Sequence, residues 1–487
     1  NYIDNRHVEV AGATDVEDPE AFLPVTSPAT GATIAFVPLS RKADVDLAVV
    51  SAKKAFESWS KRTVKDRVQI LIRFHQLVIA HKDELADLIV LEHGKNRTEA
   101  LADIAKGNET VEYALSLPQL IGGRNLEVSR GVYCSDLRKP LGVVASIVPF
   151  NFPFMVPFWT LPIAIATGNT LVLKPSEKVP LTMSRTVELL AAAGLPEGVV
   201  NLVNGGAEAA VAIVDHPDVQ AVTFVGTTHV AEIISKRARN LNKRALCLGG
   251  AKNHLVASPD CNIDMAALDI VSSFTGCAGQ RCMAASVLLT IGSQPALLEA
   301  IIIKASALIA GQSHGEVGPV IDGASLSKIL RYITEAEQDG AKILLDGRHW
   351  AKERKEGFWV GPTVILHTNR ADKALHDEIF GPVLSIFVCQ SKEEAIEIEN
   401  GNPYGNAACI YTSNGGVAEW FTKRFSAGML GVNIGVPVPR EPFSFGGINA
   451  SKFGDFDITG DGGVEFFTSR RKITQKWAPP EEKSWLS

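Results

Sequence analysis

VPFNFPFMVPFWTLPIAIATGNTLVLKPSEKVP, residues 148–180, lies in the part of this chain closest to a membrane-spanning run, but Asn151, Asn169 and four prolines break the stretch 143–172. A bilayer span needs about 18 or more unbroken apolar residues. The segment instead holds a proline-fixed turn around Asn151. After it comes a short apolar run, NTLVLK (169–174), closed by Lys174-Pro175-Ser176-Glu177. Working outward, VVASIV (143–148), VVNLVN (199–204), AVTFVG (221–226) and NHLVAS (253–258) are equally short and β-branched, and helical patterns such as TMSRTVELLAAAG (182–194) separate them. Short apolar strands alternating with helices predict a parallel, open α/β sheet.

The same alternation restarts beyond residue 282 with SVLLTI, a helix through Ala310, a helix near 325–339, KILLDG, LSIFVC, ACIYTS and GMLGVN, which predicts a second α/β domain. At 487 residues the chain is too long for one core. Towards the N-terminus, DVDLAVVSAKKAFESW puts Val45, Ala48, Val49, Ala52 and Phe56 on one helical stripe with Asp44 as its N-cap. KDRVQILIRFHQLVIAHKDELADLIVLEHGK reads as two more helices, with Gly94 closing the second. The late segment VEFFTSRRKITQKW alternates as a strand does.

A net charge of −6 and a hydrophobic fraction of 46% describe an ordinary globular protein, with no electrostatic case for nucleic acid or a membrane surface. Seven cysteines, an odd number without a disulfide framework, point to reduced thiols in an intracellular compartment. No signal-peptide pattern opens the chain, so the cytoplasm is expected, or the mitochondrial matrix if a cleaved leader has been lost.

FTGCAGQRCMA (274–284) then asks what Cys277 and Cys282 do. C-x4-C without a second pair or histidines near by does not suit zinc, no HExxH occurs, and no metal site is expected. C-x-x-C is absent too. Cys277, among glycine and alanine, reads as packing. Cys282 follows Gln280 and Arg281, and a guanidinium beside a thiol favours the thiolate.

That weak signal gains its force from company. FNFP in the opening segment, KPSE at 174–177, GLPEGVVNLVNG (194–205), FVGTT (224–228), GPT (361–363), DEIFGPV (377–383) and PFSFGG (442–447) occur in order with GQRC. Together they resemble the aldehyde dehydrogenase superfamily over essentially the whole chain. GAKNH (250–254), GQRCMA (279–284), GMLGVNIGVPVP (428–439) and SKFGD (451–455) are most similar to its CoA-acylating, methylmalonate-semialdehyde-oxidising branch.

The resemblance implies an NAD-binding domain over residues 1–118 and 139–250, a catalytic domain over 251–450, and a small β oligomerisation arm from 119–138 and 460–487, assembled as a homotetramer (dimer of dimers). It implies Cys282 as nucleophile, with the Asn151 amide and the Cys282 backbone N–H as oxyanion hole. Thiolate addition is what gives an aldehyde carbon a hydride to release. No G-x-G-x-x-G occurs, so a conventional dinucleotide fingerprint is missing. NAD is implied instead at Phe150, Lys174, Ser176, Glu177, Gly226, Thr227, Glu378 and Phe380. The helix start near Gly226 and Thr227 would meet the pyrophosphate. A carboxylate at 177 disfavours a 2′-phosphate and so favours NAD over NADP. The substrate is expected to be a small carboxylated aldehyde lined by Phe152 and Phe445, with Arg281 on its carboxylate. The second arginine implied by the resemblance aligns with Lys106, a point charge rather than a fork.

Hydrolytic members carry a glutamate base in E-L-G-G-K. Here ALCLGGAKNH (245–254) puts Cys247 or Leu248 there, and neither can serve. Coenzyme A is therefore the expected acceptor of the acyl group. The alternatives are a hydrolytic aldehyde dehydrogenase for another acidic semialdehyde, and a catalytically dead scaffold. The intact set Cys282, Asn151, Lys174 and Glu378 argues against the scaffold.

Overall fold

The structure, a computed structural model, describes residues 1–10 and 18–477. Four helices open the first domain. Helix α1, Lys42–Trp59, buries Val45, Ala48, Val49 and Ala52, whereas Phe56 is half-buried. Asp44 is not the cap: its carboxylate accepts the Arg41 N–H at 2.9 Å from one turn inside the helix. Helix α2, Val64–Ala80, is capped by Thr63 through the Asp66 N–H. Helix α3, Lys82–His93, ends at Gly94, whose φ of 87° a residue with a Cβ adopts only at a cost. Helix α4, Arg97–Leu115, starts from an Asn96 cap on the Glu99 N–H.

The first sheet is built on β1 (Val143–Ile147), β2 (Thr170–Lys174), β3 (Val200–Leu202), β4 (Val219–Val225) and β5 (Arg244–Leu248). These strands are parallel in the order β3-β2-β1-β4-β5, with short antiparallel strands at the rims. Strands β1 and β2 are buried along their whole length, which is why they read as unbroken apolar runs. The order reverses between β1 and β4, and ligands of open α/β sheets bind outside the strand ends at such a point. Phe150 and Asn151 follow β1 there, and Gly226 and Thr227 follow β4.

The second sheet comprises β6 (Asn253–Ala257), β7 (Ala285–Ile291), β8 (Thr363–His367), β9 (Val383–Cys389), β10 (Ala407–Tyr411) and β11 (Met429–Val432), parallel in the order β8-β9-β7-β6-β10-β11. An antiparallel strand, Lys342–Leu345, flanks β8. The helix expected through Ala310 stops at Ser306.

A third, three-stranded antiparallel sheet pairs Val132–Pro140 with Asn125–Ser129 on one side and Thr468–Lys476 on the other. The segment VEFFTSRRKITQKW is divided. Gly460–Phe466 is a helix that buries Val464 and Phe466 in the first domain's core, and the strand begins at Thr468. Residues 478–487 of the expected arm lie outside the described residues. Among the described residues no helix is long and apolar enough to cross a membrane.

Candidate active site

Cys282 sits where a helix, Ile263–Thr275, is turned back into β7. Cys277 and Ala278 make the turn with φ of 51° and 52°, left-handed values that cost about 1–2 kcal/mol for each residue with a Cβ. The turn is held from several sides. The Glu99 carboxylate accepts the Cys277 N–H at 2.7 Å, and the Gln280 side chain both donates to the Cys277 carbonyl (3.1 Å) and accepts from the Ile321 N–H (2.9 Å). The Cys282 carbonyl accepts the amides of Asn253 (2.8 Å) and Asn406 (2.9 Å). Thus β6 and the residue before β10 fix the backbone of Cys282. Neither asparagine is marked by the linear sequence as part of the site.

The Arg281 guanidinium does not activate Cys282, contrary to what their adjacency in sequence suggests. It turns to the other thiol, with Nε 3.4 Å from Cys277 Sγ and Nη2 3.2 Å from Glu99 Oε1. It also lies against Gly276, where a Cβ would stand 2.2 Å from the guanidinium carbon, so a side chain at that position would displace Arg281. Nη1 has no partner among the described residues. Burial pushes the Cys282 thiol up to about 12, and the Glu378 carboxylate adds to the rise. The backbone N–H groups of Cys282 and Met283 act in the other direction. The free protein therefore holds Cys282 as a thiol.

Asn151 is buried and donates one side-chain N–H to the Gln280 carbonyl at 2.9 Å. A primary amide has two such hydrogens, and Asn151 and Cys282 line the same cavity. The Asn151 carbonyl accepts Lys95 Nζ at 2.9 Å. That ammonium is fully buried, pairs with Asp103 at 3.0 Å and lies 4.3 Å from the Phe152 ring centre. Helix α4 thereby supports the catalytic turn through a pair that sequence reading missed.

Cys282 lies between two cavities. The larger, about 870 Å³, is lined by Phe152, Trp159, Phe445, Arg281, Lys106 and Arg440, among others. Phe445 stacks on Trp159 with ring centres 4.4 Å apart. Lys106 Nζ meets Glu109 at 2.5 Å, and Arg440 reaches the same carboxylate at 3.6 Å. Arg440 supplies a guanidinium beside Lys106 that sequence reading did not find, although it follows directly on GMLGVNIGVPVP.

The second cavity, about 480 Å³, gathers Phe150, Lys174, Ser176, Glu177, Gly226, Thr227, Glu378 and Phe380. Lys174 is buried, 3.5 Å from Glu177, and burial lowers its pKa. Thr227 caps the helix Thr228–Asn240 without using its side chain. A helix N-terminus exposing its first N–H groups suits a pyrophosphate. Phe150 and Phe380 meet edge to face at 6.0 Å. The Glu378 carboxylate accepts the Ala251 N–H at 3.0 Å. Gly249 and Gly250, not singled out from sequence, line this cavity because any side chain there would strike Thr228 or Glu378. The donor set fits a dinucleotide. Cys247 and Leu248 lie in β5, both buried, and neither lines a cavity with Cys282. Burial pushes the Cys247 thiol up to about 12. Among the described residues no group of three or more His, Cys, Asp or Glu is placed to hold a metal ion.

Comparison with known proteins agrees with this geometry. A malonate-semialdehyde dehydrogenase of Geobacillus thermodenitrificans is 43% identical over 482 residues, covering 98% of each chain, and one from Bacillus cereus is 43% identical over the same length. Among solved structures, the methylmalonate-semialdehyde dehydrogenase of Oceanimonas doudoroffii superposes with a TM-score of 0.95 at 38% identity, covering 98% of both chains. An NAD complex from Sinorhizobium meliloti, bearing the same enzyme name, gives 0.93 at 36% identity, covering 98% of this chain and 97% of that one. The profile of the aldehyde dehydrogenase family matches residues 14–473. This chain belongs to the aldehyde dehydrogenase family.

Proposed function

We propose that this protein oxidises malonate or methylmalonate semialdehyde with NAD and releases the acyl group to coenzyme A. The observation that carries the CoA step is the burial of Cys247 and Leu248 in β5, where hydrolytic relatives would place a carboxylate base. Cys282 loses its thiol proton to solvent once bound ligands change its surroundings and adds to the aldehyde as the thiolate. The second Asn151 N–H and the Cys282 backbone N–H receive the oxyanion. NAD, held by Lys174, Glu177, Thr227 and Glu378, supplies the hydride acceptor. The substrate carboxylate is met by Arg281 Nη1, with Lys106 and Arg440 supplying positive charge in the same cavity. The thioester remaining on Cys282 passes to the thiol of CoA. Loss of CO2 from the β-carboxylate of the Cys282 thioester, before its transfer, makes the product acetyl-CoA or propionyl-CoA.

The test is steady-state NADH production from malonate semialdehyde and from propanal, each with and without CoA, and mass spectrometry of the product. Turnover that depends on CoA, an acyl-CoA product and a higher kcat/KM for the carboxylated aldehyde are expected. A free acid formed at full rate without CoA overturns the acylating reading. Equal kcat/KM for propanal removes the carboxylate clamp.

The arm supports a homotetramer, a dimer of dimers. Its sheet leaves Leu126, Val128, Tyr133 and Leu137 exposed, and the edge strand β11 leaves Leu430 and Val432 exposed. Exposed apolar edges of this kind serve as pairing surfaces. Light scattering at micromolar concentration should give a mass near four times 52.2 kDa, and a monomeric mass sinks the idea. All seven cysteines are free, which supports a reducing compartment, the cytoplasm, as the working environment.

A further inference from the structure

Thioester release needs a proton acceptor, because a thiol attacks as its thiolate and the departing Cys282 sulfur must regain a proton. The carboxylates lining the cavities that contain Cys282 are few, and most are committed elsewhere. Glu99 is paired with Arg281, Asp103 with Lys95 and Glu177 with Lys174, while Glu316 folds back onto the Ser313 N–H at 2.6 Å. Glu378 differs from all of them. It lines two separate cavities that also contain Cys282. Its backbone is anchored, with the Glu378 carbonyl accepting Lys328 Nζ at 2.8 Å and the Asp377 carbonyl accepting Lys252 Nζ at 2.7 Å. One carboxylate oxygen accepts the Ala251 N–H, and the other, Oε2, has no hydrogen-bond partner among the described residues. A Cβ at Gly250 would lie 2.4 Å from Oε2, so that glycine leaves the space in which the carboxylate sits.

We propose that Glu378 is the general base of acyl release, taking the proton of the CoA thiol and returning it to Cys282. The assignment rests on the CoA-acylating reading above. As the CoA sulfur bonds to the thioester carbon, its proton moves to Glu378 Oε2 and the carbonyl pair moves onto oxygen, against Asn151. When the oxyanion collapses, the carbon–Cys282 bond breaks and the proton passes from Glu378 to the Cys282 sulfur. No net charge or redox change results. Burial holds Glu378 above the ordinary carboxylate range, opposed by the Ala251 N–H and by Lys328 and Lys252, which suits a base working on a thiol. The same carboxylate is implied to hold the nicotinamide ribose during oxidation, so the two uses succeed each other in one turnover.

Exchange of labelled CoA into unlabelled acetyl-CoA, without NAD, isolates this step from oxidation and from cofactor binding. Cys282→Ala serves as the blank. Glu378→Gln is expected to slow exchange by about 10²-fold, the low end of general-base effects. It is also expected to abolish the rise in rate with pH that wild type shows as Glu378 ionises. Glu378→Asp should restore that rise in part. Lys252, Lys328, Tyr404 and Cys282 also face Glu378; because the Glu378 carboxylate raises the Cys282 thiol, Glu378→Gln would move a Cys282 limb to lower pH, whereas a Glu378 limb disappears. Glu378→Gln exchanging at the wild-type rate, or slowly with the pH dependence intact, overturns the proposal. Wild type that fails to exchange at all overturns the CoA-acylating reading itself, and the two failures are thereby told apart.

Discussion

Cys282→Ala is expected to lower NADH formation from malonate semialdehyde by about 10⁴-fold or more, the scale on which removal of a covalent nucleophile acts. An aldehyde hydrogen leaves as hydride only from a tetrahedral adduct whose oxyanion drives it out, and without the sulfur that adduct does not form. Cys277→Ala should retain turnover within about tenfold of wild type. Its thiol lies against Arg281 in a buried turn, so a cost of about 1 kcal/mol in stability, the size of one lost hydrogen bond, is the expected effect. Measuring kcat for the two variants beside their thermal midpoints separates the roles. Loss of turnover in Cys277→Ala with turnover kept in Cys282→Ala would reverse the assignment. The free Cys282 thiol, pushed up to about 12, also implies that little of it reacts with an alkylating agent at neutral pH until bound ligand changes its surroundings.

Asn151→Ala should cost about 10²–10³ in kcat, the usual effect of losing one oxyanion donor. The side chain does two things here: one N–H holds the Gln280 carbonyl beside the nucleophile, and the other is left for the substrate oxygen. Removing it leaves a buried carbonyl unpaired, worth about 1–3 kcal/mol in stability. A thermal melt therefore belongs beside the kinetics. If the folded variant turns over within a factor of about three of wild type, Asn151 is not the oxyanion donor. The Lys95–Asp103 pair fixes the backbone of this residue from below, with no exposure for either side chain. Breaking such a pair by removing one partner strands a buried charge, so Lys95 and Asp103 are positioning residues for Asn151.

Much of the architecture was legible because burial writes itself into local pattern. Strands β1, β2 and β6 are buried along their whole length, so apart from Lys174, Asn253 and His254 at their ends their residues are apolar or small, and they read as short apolar runs. Gly94 ends α3 because its φ of 87° excludes most side chains. Where local rules competed, reading failed. Asp44 has the residue type of an N-cap but occupies the third helical position, where a carboxylate satisfies the Arg41 N–H equally well. The run 464–477 alternates throughout, yet its first residues pack as a helix against the first domain, because Val464 and Phe466 find a core there that a projecting strand lacks. The missing G-x-G-x-x-G also has a spatial cause. The turn after β1 is given over to Pro149-Phe150-Asn151, and the helix start that faces the cavity follows β4 instead.

By itself the sequence determined the family and the lack of a carboxylate at 247 or 248, and it singled out Cys282 as the proposed nucleophile, since each of these is a matter of which residue types stand at which positions. Only the tertiary structure decided how the charges meet. Arg281 adjoins Cys282 along the chain, but the left-handed turn at Cys277 and Ala278 folds the backbone so that the guanidinium lies on Cys277 and Glu99. Asn253, Asn406, Lys95, Arg440 and Gly250 come to the site from separate elements hundreds of residues apart in some cases, such as Arg440 and Glu109. Contacts between elements so far apart in sequence leave no period or spacing in the sequence, because they are fixed by how two sheets and α4 converge on one loop.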